Sequence, residues 1–86
     1  MSYAVFIERR AQRTLSRITK LDQDRIAAAI PRRLADDPRP HSVKKLTGRE
    51  AWRIRVGDYR ILYEIHDDRL VVLVVEIGHR RQIYRK

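Results

Sequence analysis

The stretch AWRIRVGDYRILYEI, residues 51–65, restricts the fold more than any other part of the chain. Apolar residues alternate with polar ones on both sides of Gly57-Asp58, the period of a strand covered on one face. A Gly-Asp pair between two such runs reads as a two-residue hairpin turn. Counting outward sets Val56 against Tyr59, Arg55 against Arg60, Ile54 against Ile61, Arg53 against Leu62 and Trp52 against Tyr63. One face then carries Trp52, Ile54, Val56, Tyr59, Ile61, Tyr63 and Ile65, and belongs under the core. The other carries Arg53, Arg55 and Arg60. Like charges directly opposed across strands are destabilising, so something must compensate them.

A third strand follows at 69–77. Its run LVVLVVEI is nearly all apolar, which suits a central strand covered on both faces. A turn at Asp67-Asp68 joins it to the strand at 59–66 and, by counting, puts Leu62 opposite Leu73 and Arg60 opposite Val75. The arginines then lie beside apolar side chains with no acidic neighbour in register. A lone arginine on a sheet is usually only solvated. Three on one face, in paired positions, point to an anion site, and a phosphate diester would supply the compensation.

Upstream, YAVFI reads as a short first strand. ERRAQRTLSRIT reads as a helix with Ala11, Leu15 and Ile18 inward and a solvated stripe of Arg10, Arg13 and Arg17 outward. LDQDRIAAAIPRRLADD predicts a second helix, capped by Asp22 and buried along Ile26, Ile30 and Leu34. Proline inside a helix costs about 3 kcal/mol, so Pro31 predicts a kink or two short helices meeting at Ile30. DPRPHSVKKLTGRE is a loop by its prolines, glycine and polar residues, pinned to the core by Val43 and Leu46. The architecture is α+β: two N-terminal helices on one face of a small, mainly antiparallel sheet, residues 1–86 forming one domain.

The net charge of +9 is spread over the chain, with nine basic against five acidic residues in 1–40 and eleven against six in 41–86. Such a body attracts polyanions, nucleic acid first. With no cysteine, disulfides and thiolate metal sites are excluded. The acidic pairs Asp36-Asp37 and Asp67-Asp68 fall at turns and read as structural. Ala4 to Ile7 is too short an apolar run for a signal peptide and nothing later could span a bilayer, so a cytoplasmic protein is expected.

The tail GHRRQIYRK brings His79, Arg80, Arg81 and Tyr84, groups that can stack on a base and handle phosphoryl chemistry. Together, KKLTGREAWRIRVGDYRILYEI, the apolar strand and GHRRQIY resemble the RelE/ParE superfamily of bacterial and archaeal toxins, over essentially the whole chain. The resemblance implies a RelE-like fold and the toxin of a toxin–antitoxin pair. RelE-like members are ribosome-dependent messenger RNA endonucleases that inhibit translation. Carried over by position, their catalytic residues are Arg53, Arg55, Arg60, Arg80 and Tyr84, with His79 as a further candidate. Lys44, Lys45 and Arg81 are read as RNA contacts. The implied reaction is attack of a ribose 2′-hydroxyl on the adjacent phosphate, leaving a 2′,3′-cyclic phosphate and a 5′-hydroxyl. It needs no metal or other cofactor. The implied partners are an antitoxin, with an acidic stretch to suit the basic surface, and the ribosome with mRNA in its decoding site.

Better-known members carry lysines where this chain has Arg53 and Arg55. Arginine effectively never loses its proton, so these two orient phosphate but make poor general bases. Tyr84, His79 and a ribosomal RNA group remain open for that role. The sequence stops at Lys86, which implies a form without the C-terminal helix of some members. Two other functions stay open: a ParE-like inhibitor of DNA gyrase, and an RNA-binding module without catalysis.

Overall fold

The computed structural model describes residues 2–39, 44–46 and 51–79. Its elements are β1 (Ala4–Ile7), α1 (Arg9–Ser16), α2 (Lys20–Leu34), β2 (Lys44–Lys45), β3 (Trp52–Val56), β4 (Tyr59–His66) and β5 (Val71–His79). The strands form one sheet in the order β1-β5-β4-β3-β2, antiparallel except where β1 pairs with β5. Both helices cover the same face. Ala11 of α1 and Ile26, Ala29, Ile30 and Leu34 of α2 pack there against Ile54, Val56, Ile61, Tyr63, Val72, Val74 and Ile77. Fully burying an aliphatic side chain of this size contributes about 1.5–3 kcal/mol, so the hairpin's alternation alone commits that face inward.

The β3–β4 register is the one counted from Gly57-Asp58, pair for pair. Gly57 has φ 59°, a conformation glycine adopts without side-chain strain; among the described residues the other positive φ is at Leu70, in the second turn.

The first helix stops at Ser16, and Thr19 rather than Asp22 caps the second. The Thr19 hydroxyl accepts the Asp22 N–H at 3.3 Å, leaving the Asp22 carboxylate in the first turn, where the helix dipole favours it. Nor does Pro31 divide α2 into two helices. It sits in the last turn on the exposed side with Ala27, so water reaches the carbonyl that loses its donor. The loop before β3 contains β2, a two-residue edge strand paired with β3. Leu46 is half-buried and its N–H donates to the Ala51 carbonyl, as its pinning role requires; Val43 lies outside the described residues.

The largest correction is at the second turn. It takes four residues, Asp67 to Leu70, and pairing slips by one more between Leu62 and Tyr63, with Val75 as the extra residue of a bulge. Arg60 therefore faces Gly78, not Val75, and Leu62 faces Glu76, not Leu73. The face of β5 away from the helices is half-buried rather than covered, with Val71, Leu73, Val75 and Glu76 partly accessible.

Candidate functional site

Strand alternation sorts the sheet into a helix face and an open face. On the open face β3 presents Arg53 and Arg55, and β4 presents Arg60 and Leu62. Arg55 and Arg60 are direct partners, as are Arg53 and Leu62. Directly opposed side chains have Cβ atoms about 4.5–5.5 Å apart, so the Arg55 and Arg60 stems start as close neighbours. Their settings differ. Arg55 is exposed and Arg53 half-buried, whereas Arg60 is only 7% exposed, and Leu62 beside it 3%. Arginine is almost never buried unless partnered, and Arg60 takes part in an interaction of its own. Leu62 stands outside the helix-side core cluster. It is the buried centre of the cross-strand row Arg53–Leu62–Glu76. Gly78, opposite Arg60, adds no side chain to this surface.

The structure brings Arg53, Arg55 and Arg60 together and separates two other candidates from them. His79 is the register partner of Tyr59, one position beyond Gly78, and so lies on the helix face. Its ring meets Tyr59 edge-on, with centroids 5.8 Å apart and planes at 84°. Burial, then the Asp22 carboxylate, pushes the Tyr59 phenol up, and its hydroxyl donates to Asp22 Oδ2 at 3.4 Å. A cleft of about 110 Å³ opens there between α2 and the β3–β4 turn, lined in part by Asp22, Arg25, Asp58 and Tyr59. Lys45 pairs with Trp52 on the helix face, its ammonium 5.8 Å from the indole centroid. Lys44 is in register with Arg53. Arg80, Arg81 and Tyr84 lie outside the described residues.

Beyond the second turn a separate network fastens the chain ahead of β2. Asp67 accepts the Tyr3 hydroxyl at 2.6 Å and both terminal nitrogens of Arg39 at 2.9 and 3.3 Å. The Arg39 hydrogen bonds, then that from Tyr3, hold the Asp67 carboxyl below its ordinary value. Asp37 accepts the Arg39 N–H, and Asp36 the Ser2 hydroxyl, so these three turn acids serve structure. Arg39 also lies 5.2 Å from the Trp52 centroid. Among the described residues no group of three or more His, Cys, Asp or Glu could hold a metal ion, and no helix is long and apolar enough to cross a membrane.

Sequence reasoning missed Glu76. The visible signal was one acid inside an otherwise apolar strand. In the corrected register it stands on the open face, opposite Leu62 and diagonal to Arg60.

Comparison with known proteins places this geometry. Residues 5–84 match the ParE toxin family of type II toxin–antitoxin systems. Toxin RelG of Mycobacterium tuberculosis is 34% identical over 90 residues, covering all of both chains. The RelBE2 toxin–antitoxin complex of the same organism contains a chain that superposes with a TM-score of 0.85 at 24% identity, over 93% of each. The archaeal RelE–RelB complex of Pyrococcus horikoshii gives 0.79 at 26% identity over all of both chains.

Proposed function

The chain belongs to the ParE toxin family of type II toxin–antitoxin systems, within the RelE/ParE superfamily, and from that premise we propose that it is a metal-independent endoribonuclease cleaving messenger RNA on the ribosome. The observation that carries this reading is the directly opposed Arg55–Arg60 pair, with Arg53 on the same face and Arg60 sunk beside Leu62. Planar guanidinium forks match phosphate oxygens in pairs, and the burial of Arg60 beside Leu62 strengthens that attraction. A phosphodiester laid across β3 and β4 relieves the repulsion between the two arginines as it binds. Charge developing on the phosphoryl oxygens during 2′-hydroxyl attack is then stabilised by donors already in place. The family resemblance assigns the remaining roles to Arg80, stabilising charge at the leaving oxygen, and to Tyr84, stacking on a base or moving a proton.

An antitoxin with an acidic stretch is the cognate partner, supported by the RelB-bound relatives and by the net charge of +9. The protein works in the cytoplasm, where its ribosomal target is. The match to a family named for ParE favours gyrase inhibition as a second reading. Arg80→Ala and Tyr84→Phe separate the two. Each should lower mRNA cleavage by about 10²-fold or more while antitoxin binding survives. Toxicity that persists in both variants, with mRNA intact and DNA supercoiling impaired, would establish the gyrase reading instead.

A further inference from the structure

RNA cleavage by 2′-hydroxyl attack needs a group that accepts the hydroxyl proton, and the three arginines of the open face cannot be that group. His79 faces Tyr59 on the other side of the sheet. Among the described residues the acids on the open face are Glu64 and Glu76. Glu64 lies farther along β4, opposite Leu73, with its Oε1 3.0 Å from His66 Nε2. Glu76 stands among the arginines. It closes the row Arg53–Leu62–Glu76 and is one diagonal step from Arg60.

The bulge is what puts it there. Without the extra residue Val75, pairing from Tyr63↔Val74 would run on to set Glu76 against Ile61, in the helix-side core. A one-residue shift exchanges the faces of a strand. The bulge thus turns a carboxylate out of the core and onto the arginine surface, the kind of re-aiming for which bulges gather near active sites. Diagonal neighbours on adjacent strands are about 7–8 Å apart, and alternate strands about 9–10 Å, both within the combined reach of arginine and glutamate.

We propose that Glu76 is the general base of the cleavage reaction, a role that rests on the nuclease reading above. A Glu76 carboxylate oxygen takes the proton of the ribose 2′-hydroxyl as the 2′-oxygen forms its bond to the adjacent phosphorus. The bond from phosphorus to the 5′-oxygen of the next nucleotide breaks with its electron pair, and that oxygen takes a proton from water. A 2′,3′-cyclic phosphate and a 5′-hydroxyl result, and Glu76 returns its proton to solvent. Among the described residues the charged groups on its face are Arg60 from β4, Arg53 from β3 beyond Leu62 and Arg55 beyond Arg60, with Glu64 and His66 farther along β4. From β1, Ala4 and Phe6 oppose only the start of β5.

The test is single-turnover cleavage of mRNA on programmed ribosomes by the full chain, as wild type, Glu76→Gln and Glu76→Asp, at one neutral pH. Glu76→Gln should slow cleavage by about 10²-fold or more, with ribosome and antitoxin affinities within about twofold of wild type. Glu76→Asp should recover part of the loss. The proposal is overturned if Glu76→Gln cleaves within about threefold of wild type, or loses only ribosome affinity. Should Glu76→Gln fail to fold by circular dichroism, the aspartate variant decides: slower cleavage at unchanged ribosome affinity supports the role, and cleavage at the wild-type rate overturns it. Wild-type protein that leaves mRNA whole overturns the nuclease reading and this role with it; wild type and Glu76→Gln cleaving alike overturns the role alone.

Discussion

Tyr63→Phe removes one oxygen atom from the middle of the sheet, and the structure sets its cost. Tyr63 is 0% exposed, and its hydroxyl donates to the Pro38 carbonyl at 2.7 Å. Burial drives the phenol pKa upward, with Arg39 and Arg33 opposing and Asp37 adding to the rise, so the hydroxyl stays a donor throughout the working range. Phenylalanine keeps the ring and its packing but leaves the carbonyl of Pro38, itself buried, without that donor. Stranding a buried acceptor costs about 1–3 kcal/mol. For a domain of this size each kcal/mol moves Tm by about 4–8 °C, so a cost of about 2 kcal/mol, the middle of the range above, lowers Tm by about 8–16 °C. Tyr59→Phe is the control. Its bond to Asp22 is 3.4 Å long and only part-buried, so the loss should stay within about 0.5 kcal/mol. Urea unfolding followed by circular dichroism measures both, with equal m-values confirming that only stability has changed. The latch between β4 and the 35–39 segment is refuted if Tyr63→Phe stays within about 0.3 kcal/mol of wild type, or costs less than Tyr59→Phe.

Asp67→Asn should lower Tm at pH 7, and by progressively less as the pH is taken down into the acid range. The folded carboxyl titrates below its ordinary value, so its contribution is full above the unfolded pKa and is lost as pH falls through the folded one; thermal melts across that window check it. Arg55→Ala should leave Tm unchanged, because the residue is exposed, and weaken ribosome binding; Arg60→Ala should lower both, because the residue is buried. Arg60→Ala with undiminished toxicity at equal expression would remove the anion site. Binding should also weaken steeply with added salt, with a shallower slope in Arg55→Ala, as counterion release requires.

The first hairpin was legible because two independent signals agree on it. Gly57-Asp58 fixes the loop length, and the alternation from Trp52 to Ile65 fixes which side is covered. The second hairpin carries no comparable signal. Asp67 to Leu70 includes no glycine, and Leu70 adopts φ 53° despite its side chain, which local propensity argues against. The bulge at Val75 lies within an apolar run, where a slip leaves the hydrophobic pattern almost unchanged. Between them these two features move the partner of Arg60 by three residues. They also hid Glu76, which the two-residue turn would set opposite Tyr59 in the core. Membership of the superfamily was carried by the co-linear motifs from KKLTGRE to GHRRQIY, whereas the burial of Arg60 depends on which residues cross the sheet beside it. Alternation sends both His79 and Lys45 to the helix face, His79 through the corrected β4–β5 register and Lys45 through its pairing with Trp52.

Mapping mRNA ends in a translating extract, with and without the protein, tests the nuclease reading most directly. New ends should appear within ribosome-occupied coding sequence, bearing 5′-hydroxyl and 2′,3′-cyclic phosphate groups, and should vanish when initiation is blocked. Transcripts left intact while the protein still arrests growth, or ends bearing 5′-phosphates, would contradict it.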